Sequence, residues 1–314
     1  MSKFTRVLSA SVLLVLVLAS CVFAAAGDKQ LHITFVAPLV ANPYWDVVED
    51  GAKAAAAEFN VDLDYVGSTS LDMNQWMSYL EMAISNKSDG IVTMALNEST
   101  IRPIVDRAAE AGIPITLVDT DAPGTKRAAY AGTDNEAAGK VLAENLVEIT
   151  GGKAVIGIMT GALDQPNLNL RMKGFNDGIA AHPDMKVVVT EADNSDLALC
   201  IQKAEAMIKA HPDITVLAGM EGFGVPGLSR VVQENNLVGK VTVVGFDDLA
   251  DTLQYIKTGV AKGTVVQRQY QMGYLGVKLI CDIKDGKTVD SINDTGVVFL
   301  DKDSVESYDP RSGR

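Results

Sequence analysis

The chain has 314 residues, a net charge of −13, three cysteines, 47% apolar and 6% aromatic residues. Such acidity opposes non-specific attraction to nucleic acid or an anionic membrane surface and favours solubility. So few cysteines exclude a disulfide scaffold, and the length suffices for two domains of ordinary size.

Met1–Ala26 reads as an export signal: Lys3 and Arg6 form the charged start, Val12–Leu18 the apolar centre, and small residues follow. The apolar run is too short to span a bilayer. Two cuts compete. Leu18-Ala19-Ser20-Cys21 has the form of a lipoprotein box, with Cys21 as the lipid-bearing residue, and Ala24-Ala25-Ala26 is an ordinary cleavage site. Either cut removes two basic residues and no acidic one, taking the net charge to −15. Cys200 and Cys281 remain, each inside a helical pattern where a small buried hydrophobe is expected.

Apolar strands then alternate with amphipathic helices almost to the end. The first half reads as LHITFVAP, helix 43–58, VDLDYVG, helix 72–86, GIVTMA, helix 99–111 and IPITLVD. The second reads as AAYAG, helix 134–149, KAVIGIMTG, helix 168–181, KVVVTEA, helix 195–209, ITVLAG, helix 225–236, KVTVVGFDD, helix 249–257, GTVVQ, helix 270–284 and a strand near 296–300. Strands apolar throughout, each followed by a helix, imply an α/β fold with parallel sheets covered on both faces. So many strands exceed one comfortable open sheet. Two lobes are expected, and the absence of a Pro-, Gly- or Ser-rich linker implies that the chain crosses between them more than once.

Chemistry-bearing residues gather where strands end. Asn42-Pro43-Tyr44-Trp45 follows the first strand, with Asn42 suited to cap a helix and Pro43 to open it. Two aromatics there offer apolar faces with polar tips, suited to a ring-like, hydroxylated ligand. Asp119 and Asp121, Thr133-Asp134-Asn135, Gln165, Asn167 and Arg171, Asp247 and Asp248, and Gln267 end other strands. Around one crevice their donors and acceptors could match a polyol. For Asp134 and Asp248 the capping of the next helix is the preferred reading. Arg171 is not: a cation early in an apolar helix opposes the local dipole and needs another reason.

Gly222-Phe223-Gly224-Val225-Pro226-Gly227 has the spacing of a dinucleotide fingerprint, with Asp247 following at the ribose distance. It is not the first strand–helix turn of a fold, and Pro226 falls within the phosphate turn, so a glycine-rich helix start is the reading preferred. His32, His182 and His211 are scattered, and Asp193–Asp196 lacks the spacing of a calcium loop. No metal or cofactor is expected.

The chain resembles the periplasmic sugar-binding proteins of ribose and glucose/galactose type, the solute-binding components of ABC importers. The resemblance rests on NPYW with EDGA at 49–52, SDGIV at 88–92, AGIPITLVD at 111–119, GTDN at 132–135, R-x-x-G-F at 171–175, VVGFDD at 243–248 and VVQ-x-x-x-x-MG at 265–273. It implies a type I periplasmic-binding-protein fold with two Rossmann-like lobes and a three-segment hinge. The lobes are expected to be 30–134 plus 268–292 and 135–267 plus 293–314, after a signal peptide at 1–26. It also implies ligand contacts from Asn42, Tyr44, Trp45, Asp119, Gln165, Asn167, Arg171, Asp247 and Gln267. Three positions depart from the ribose pattern: Thr120 for an arginine, Met220 for an asparagine and Ala95 for an amide. Met220 and Thr120 are therefore expected to turn specificity away from ribose.

The expected function is capture of a sugar or sugar-like polyol outside the cytoplasm, without catalysis. The protein would be periplasmic or lipid-anchored at the outer face of the cytoplasmic membrane. It would act as a monomer, with a permease and, as a further candidate, a chemoreceptor as partners, and with no nucleic acid. The same fold binding a nucleoside or a signalling molecule is the alternative, ahead of an NAD-dependent enzyme. A repressor would need a basic helix-turn-helix where this chain has its export signal.

Overall fold

The computed structural model describes residues 30–40, 42–70 and 72–311; the export segment, with Cys21, lies outside them. The first lobe begins with β1 (His32–Ala37), α1 (Pro43–Glu58), β2 (Asp62–Gly67), α2 (Met73–Ser85) and β3 (Gly90–Thr93). It continues with α3 (Glu98–Glu110), β4 (Ile115–Val118) and β5 (Ala129–Gly132). The chain then crosses into α4 (Asn135–Thr150), β6 (Ala154–Thr160), α5 (Pro166–Ile179), β7 (Met185–Ala192) and α6 (Leu197–Ala210). The second lobe goes on through β8 (Val216–Gly219), α7 (Gly224–Glu234), β9 (Thr242–Phe246), α8 (Ala250–Thr258) and β10 (Ala261–Gln267). Helix α9 (Gln269–Lys284) and β11 (Ile292–Asp294) return to the first lobe, while β12 (Val297–Asp301) and a 3-10 turn at Val305–Ser307 end on the second.

Two six-stranded sheets result, ordered β11-β5-β4-β3-β1-β2 and β12-β10-β9-β8-β6-β7. They are wound alike: β1, β3, β4 and β5 of one correspond to β6, β8, β9 and β10 of the other. In each, the order reverses beside the first strand, which is where open α/β sheets leave a crevice at their carboxyl ends. β11 joins β5 in parallel, whereas β12 pairs antiparallel with β10. Strand β11 was not anticipated, because three residues with Ile292 exposed carry no readable period.

Burial follows the pleat. Phe35 packs with Val48, Val92 and Met272 on one face of the first sheet, and Val36 with Trp76, Ile91 and Leu117 on the other. The second sheet repeats this, with Ile158 and Phe246 on one face and Met159 and Val243 on the other. Cys200 and Cys281 are buried and unpaired. No helix among the described residues is long and apolar enough to cross a membrane.

Each lobe has one helix pair in backbone contact. A Cβ at Gly174 of α5 would overlap the carbonyl oxygen of Glu136 on α4, and one at Gly273 of α9 would overlap that of Val48 on α1. Only glycine admits such an approach. These crossings fix α1 and α5, the helices whose starts carry the NPYW loop and Arg171.

Candidate functional site

Asn42 caps α1 as its sequence suggests, Oδ1 accepting the N–H groups of Tyr44 at 3.0 Å and Trp45 at 3.4 Å. With Pro43 opening the helix, the two aromatics stand at the rim of the cleft between the lobes, their rings edge to face at 5.5 Å. Trp45 is rooted in the core of the first lobe. The Tyr44 hydroxyl donates to Asp119 Oδ1 at 2.5 Å. Burial, then the charges of Asp119 and Asp247, raise the Tyr44 phenol well above its ordinary range, so it remains a neutral donor.

The second lobe answers with Arg171, 2% exposed. Its Nε donates to Asn135 Oδ1 at 2.8 Å, its Nη1 to the Met220 carbonyl at 3.0 Å, and the guanidinium lies 4.4 Å from the centre of the Phe246 ring. The unfavourable dipole position is thus offset by two hydrogen bonds and a cation–π contact. Asp247, 8% exposed, accepts from Gln267 Nε2 at 2.8 Å, and Gln267 Oε1 accepts from the Thr133 hydroxyl at 3.0 Å. Burial raises the Asp247 carboxyl above its usual range, while Arg171 and Gln267 pull it back.

Thr133 and Gln267 belong to two of the segments that cross between the lobes. The third is tied to the first by the Asp134 N–H, which donates to Asp294 Oδ1 at 3.0 Å. Asp121, read as a strand-end acid, is taken up by Arg127, whose Nη1 also donates to the Ser291 carbonyl at 2.7 Å beside β11.

One cavity of about 540 Å³ between the lobes is lined by Asn42, Tyr44, Trp45, Asp119, Gln165, Asn167, Arg171, Asp247 and Gln267 together. Two further expected residues stand apart. Met220 is fully buried in the core of the second lobe and offers only its carbonyl, to Arg171. The Thr120 hydroxyl turns back to Asp119 Oδ2 at 2.7 Å, and the residue lines, with Ala95, a neighbouring inter-lobe cavity of about 430 Å³. A residue at a strand end can point into the sheet's own core as readily as into the cleft, and here Met220 does.

The comparisons with known proteins show the family and the fold. Residues 33–288 match the model described as the periplasmic binding protein domain. The chain belongs to this family. It is 26% identical over 311 residues to the D-ribose/D-allose-binding protein of Pseudomonas aeruginosa, covering 93% of this chain and 96% of the relative. Its fold is similar to that of GanP, a glucose-galactose binding protein from Geobacillus stearothermophilus, with a TM-score of 0.84, 35% identity, and 88% and 99% of the two chains covered. It is also similar to a solute-binding protein from Burkholderia graminis in complex with D-arabinose, with a TM-score of 0.83, 32% identity and 89% and 98% coverage. The chain is an extracytoplasmic binding protein of this family, not an enzyme.

The family's fold also accounts for the glycine motif. Gly219 and Gly224 pack Cα against Cα, so the run at 222–227 lets α7 start hard against the end of β8. Asp134 caps α4, accepting the Ala137 N–H at 2.9 Å. Asp248 does not cap α8. It accepts instead from Gln269 Nε2 at 3.0 Å and from the Tyr308 hydroxyl at 2.7 Å. That contact draws the C-terminal segment to the cleft, where Pro310 and Arg311 join the lining. Nothing in the local sequence signals this, since it depends on where a tail lands. Glu221 and Ser195 also line the cavity. Glu221 stands two residues past β8, one beyond the position that Asp119 and Asp247 hold after their strands, so a strand-end search widened by one residue would have found it.

Proposed function

We propose that the protein captures a neutral sugar or sugar-like polyol for an ABC importer, closing its two lobes over the ligand. The observation that carries this reading is the convergence of Tyr44, Trp45 and Asp119 from one lobe with Arg171 and Asp247 from the other on one cavity. A polyol ring offers CH faces to the aromatics, and hydroxyls that donate to carboxylates and accept from the guanidinium. Carboxylates outnumber cations around that cavity, which disfavours phosphorylated or acidic sugars. Nine expected contact residues, Asn42, Tyr44, Trp45, Asp119, Gln165, Asn167, Arg171, Asp247 and Gln267, would hold the ligand.

Closure would bend the three crossing segments, as in other periplasmic binding proteins. The closed face is what a permease would recognise, with the binding protein arriving as a monomer. Cys21 is the residue that would carry a lipid anchor. Relatives named for ribose or allose and for glucose and galactose, and one solved with D-arabinose, support a monosaccharide. A thermal-shift screen of pentoses, hexoses, polyols and nucleosides, followed by calorimetry, tests this. A large shift with one monosaccharide or polyol is expected; a response to nucleosides alone would replace the ligand class.

A further inference from the structure

The second lobe holds a polar pair that the sugar contacts leave unused. Asp193, at the end of β7, is fully buried, and Glu221, after β8, is nearly so. The two carboxyl groups are close enough that each shifts the titration of the other. Asp193 Oδ1 accepts the Ser195 N–H and Glu221 Oε1 accepts the Phe223 N–H, each at 2.9 Å. Asp193 Oδ2 is buried with no donor among the described residues unless the facing acid supplies one. Ionised carboxylates only accept, so two of them repel; one proton between them would supply the donor that Asp193 Oδ2 lacks.

The two acids sit in different loops, and both loops line the cleft, through Ser195 on one side and Glu221, Gly222 and Phe223 on the other. The first loop is strained. Asn194 and Ser195 are both left-handed, with φ of 53° and 55°. Such a turn persists only where surrounding bonds hold it.

We propose that one proton shared by Asp193 and Glu221 clasps these loops together, and that ligand affinity depends on the cleft wall this proton maintains. The affinity part of the proposal rests on the cleft being the ligand site. The groups facing the pair are the Cys200 thiol of α6, which also donates to the Phe223 carbonyl at 3.6 Å, and Asp247 at the end of β9. Arg171 of α5 reaches the neighbouring Met220 carbonyl. Burial, then the charge of Asp193, pushes the Glu221 carboxyl up to about 8, and burial also raises that of Asp193. The folded state therefore holds a proton that the unfolded chain releases at lower pH. The clasp's stability is fully present at acid pH and is lost as pH rises through about 8.

Thermal unfolding of the ligand-free mature protein between roughly pH 6 and 9, in wild type and Glu221→Gln, tests the clasp. The amide of Gln donates to Asp193 without titrating, so wild type should lose several degrees that the variant keeps. Infrared spectra should contain a carboxylic-acid band at neutral pH that Glu221→Gln and, separately, Asp193→Asn remove. Parallel melting curves, or no such band, would overturn the proposal. D-allose, D-glucose, D-galactose and D-arabinose serve as binding probes. Affinity for whichever binds should fall about tenfold in wild type across the same range and stay level in Glu221→Gln. A titrating clasp with unchanged affinity would overturn the link to binding. A titrating clasp in a protein that binds none of these sugars would overturn that link and count against the sugar reading, while leaving the clasp itself intact.

Discussion

Asp119 and Asp247 are the same residue of the two lobes. Each follows the corresponding strand, β4 or β9, and each is left-handed, with φ of 61° and 68°. Aspartate tolerates this region better than most side chains, at a cost of about 1–2 kcal/mol. The duplicated strain places a carboxylate on each side of one cleft, held by Tyr44 in one lobe and by Gln267 in the other.

Asp247→Asn keeps the tolerance for a left-handed backbone and removes a buried charge. Its melting temperature should stay at or above that of wild type, while ligand affinity falls tenfold or more, since a charged acceptor is worth about 1.5–3 kcal/mol per hydrogen bond. Asp247→Ala should lose affinity and melt lower as well. Calorimetry and thermal unfolding of the two variants side by side read this difference.

Arg171→Lys should fail to rescue Arg171→Ala. An ammonium group cannot donate to Asn135 and Met220 together while lying flat on Phe246. Both variants should bind at least about a hundredfold more weakly, the equivalent of losing one or two charged hydrogen bonds at about 1.5–3 kcal/mol each. Binding by the lysine variant within a few-fold of wild type would contradict the geometric role of the fork.

Tyr44→Phe deletes the donor that orients Asp119. Leaving that carboxylate oxygen unpartnered costs about 1–3 kcal/mol, so affinity should fall roughly tenfold or more with little change in fold. Titration with the sugar found by screening measures it.

Gly174→Ala tests whether the crossing of α4 and α5 sets the position of Arg171. The added methyl group meets backbone, which cannot yield as a side chain would. Overpacking of this kind costs about 1–3 kcal/mol. The melting temperature should drop by several degrees, and affinity should fall as well because α5 carries the arginine. A drop in stability with unchanged affinity would separate the crossing from the site.

Met220→Asn should lower stability without shifting preference toward ribose. The side chain lies in the second lobe's core, where an unpartnered amide costs about 1–3 kcal/mol. Thermal unfolding and a titration with ribose separate this outcome from the specificity change that the sequence alone suggests.

The sequence by itself determined the alternation of apolar strands and amphipathic helices, the α/β class and the presence of two lobes. It also determined the local chemistry of individual ends, such as the Asn42 cap and the Pro43 helix start, because these depend on neighbours within a few residues. Arg171 was legible as an anomaly: its place on the helix required a partner from elsewhere. The identity of that partner was not, since Asn135, Met220 and Phe246 are brought to it by the crossing of α4 on α5 and by the strand order. Only the tertiary structure decided that Met220 turns into the core, that Asp121 serves Arg127, and that Asp193 meets Glu221. Each depends on which way one strand end faces relative to another far along the chain. A period of two residues assigns a face, but which face borders the cleft is settled only when the sheets are wound and the lobes meet.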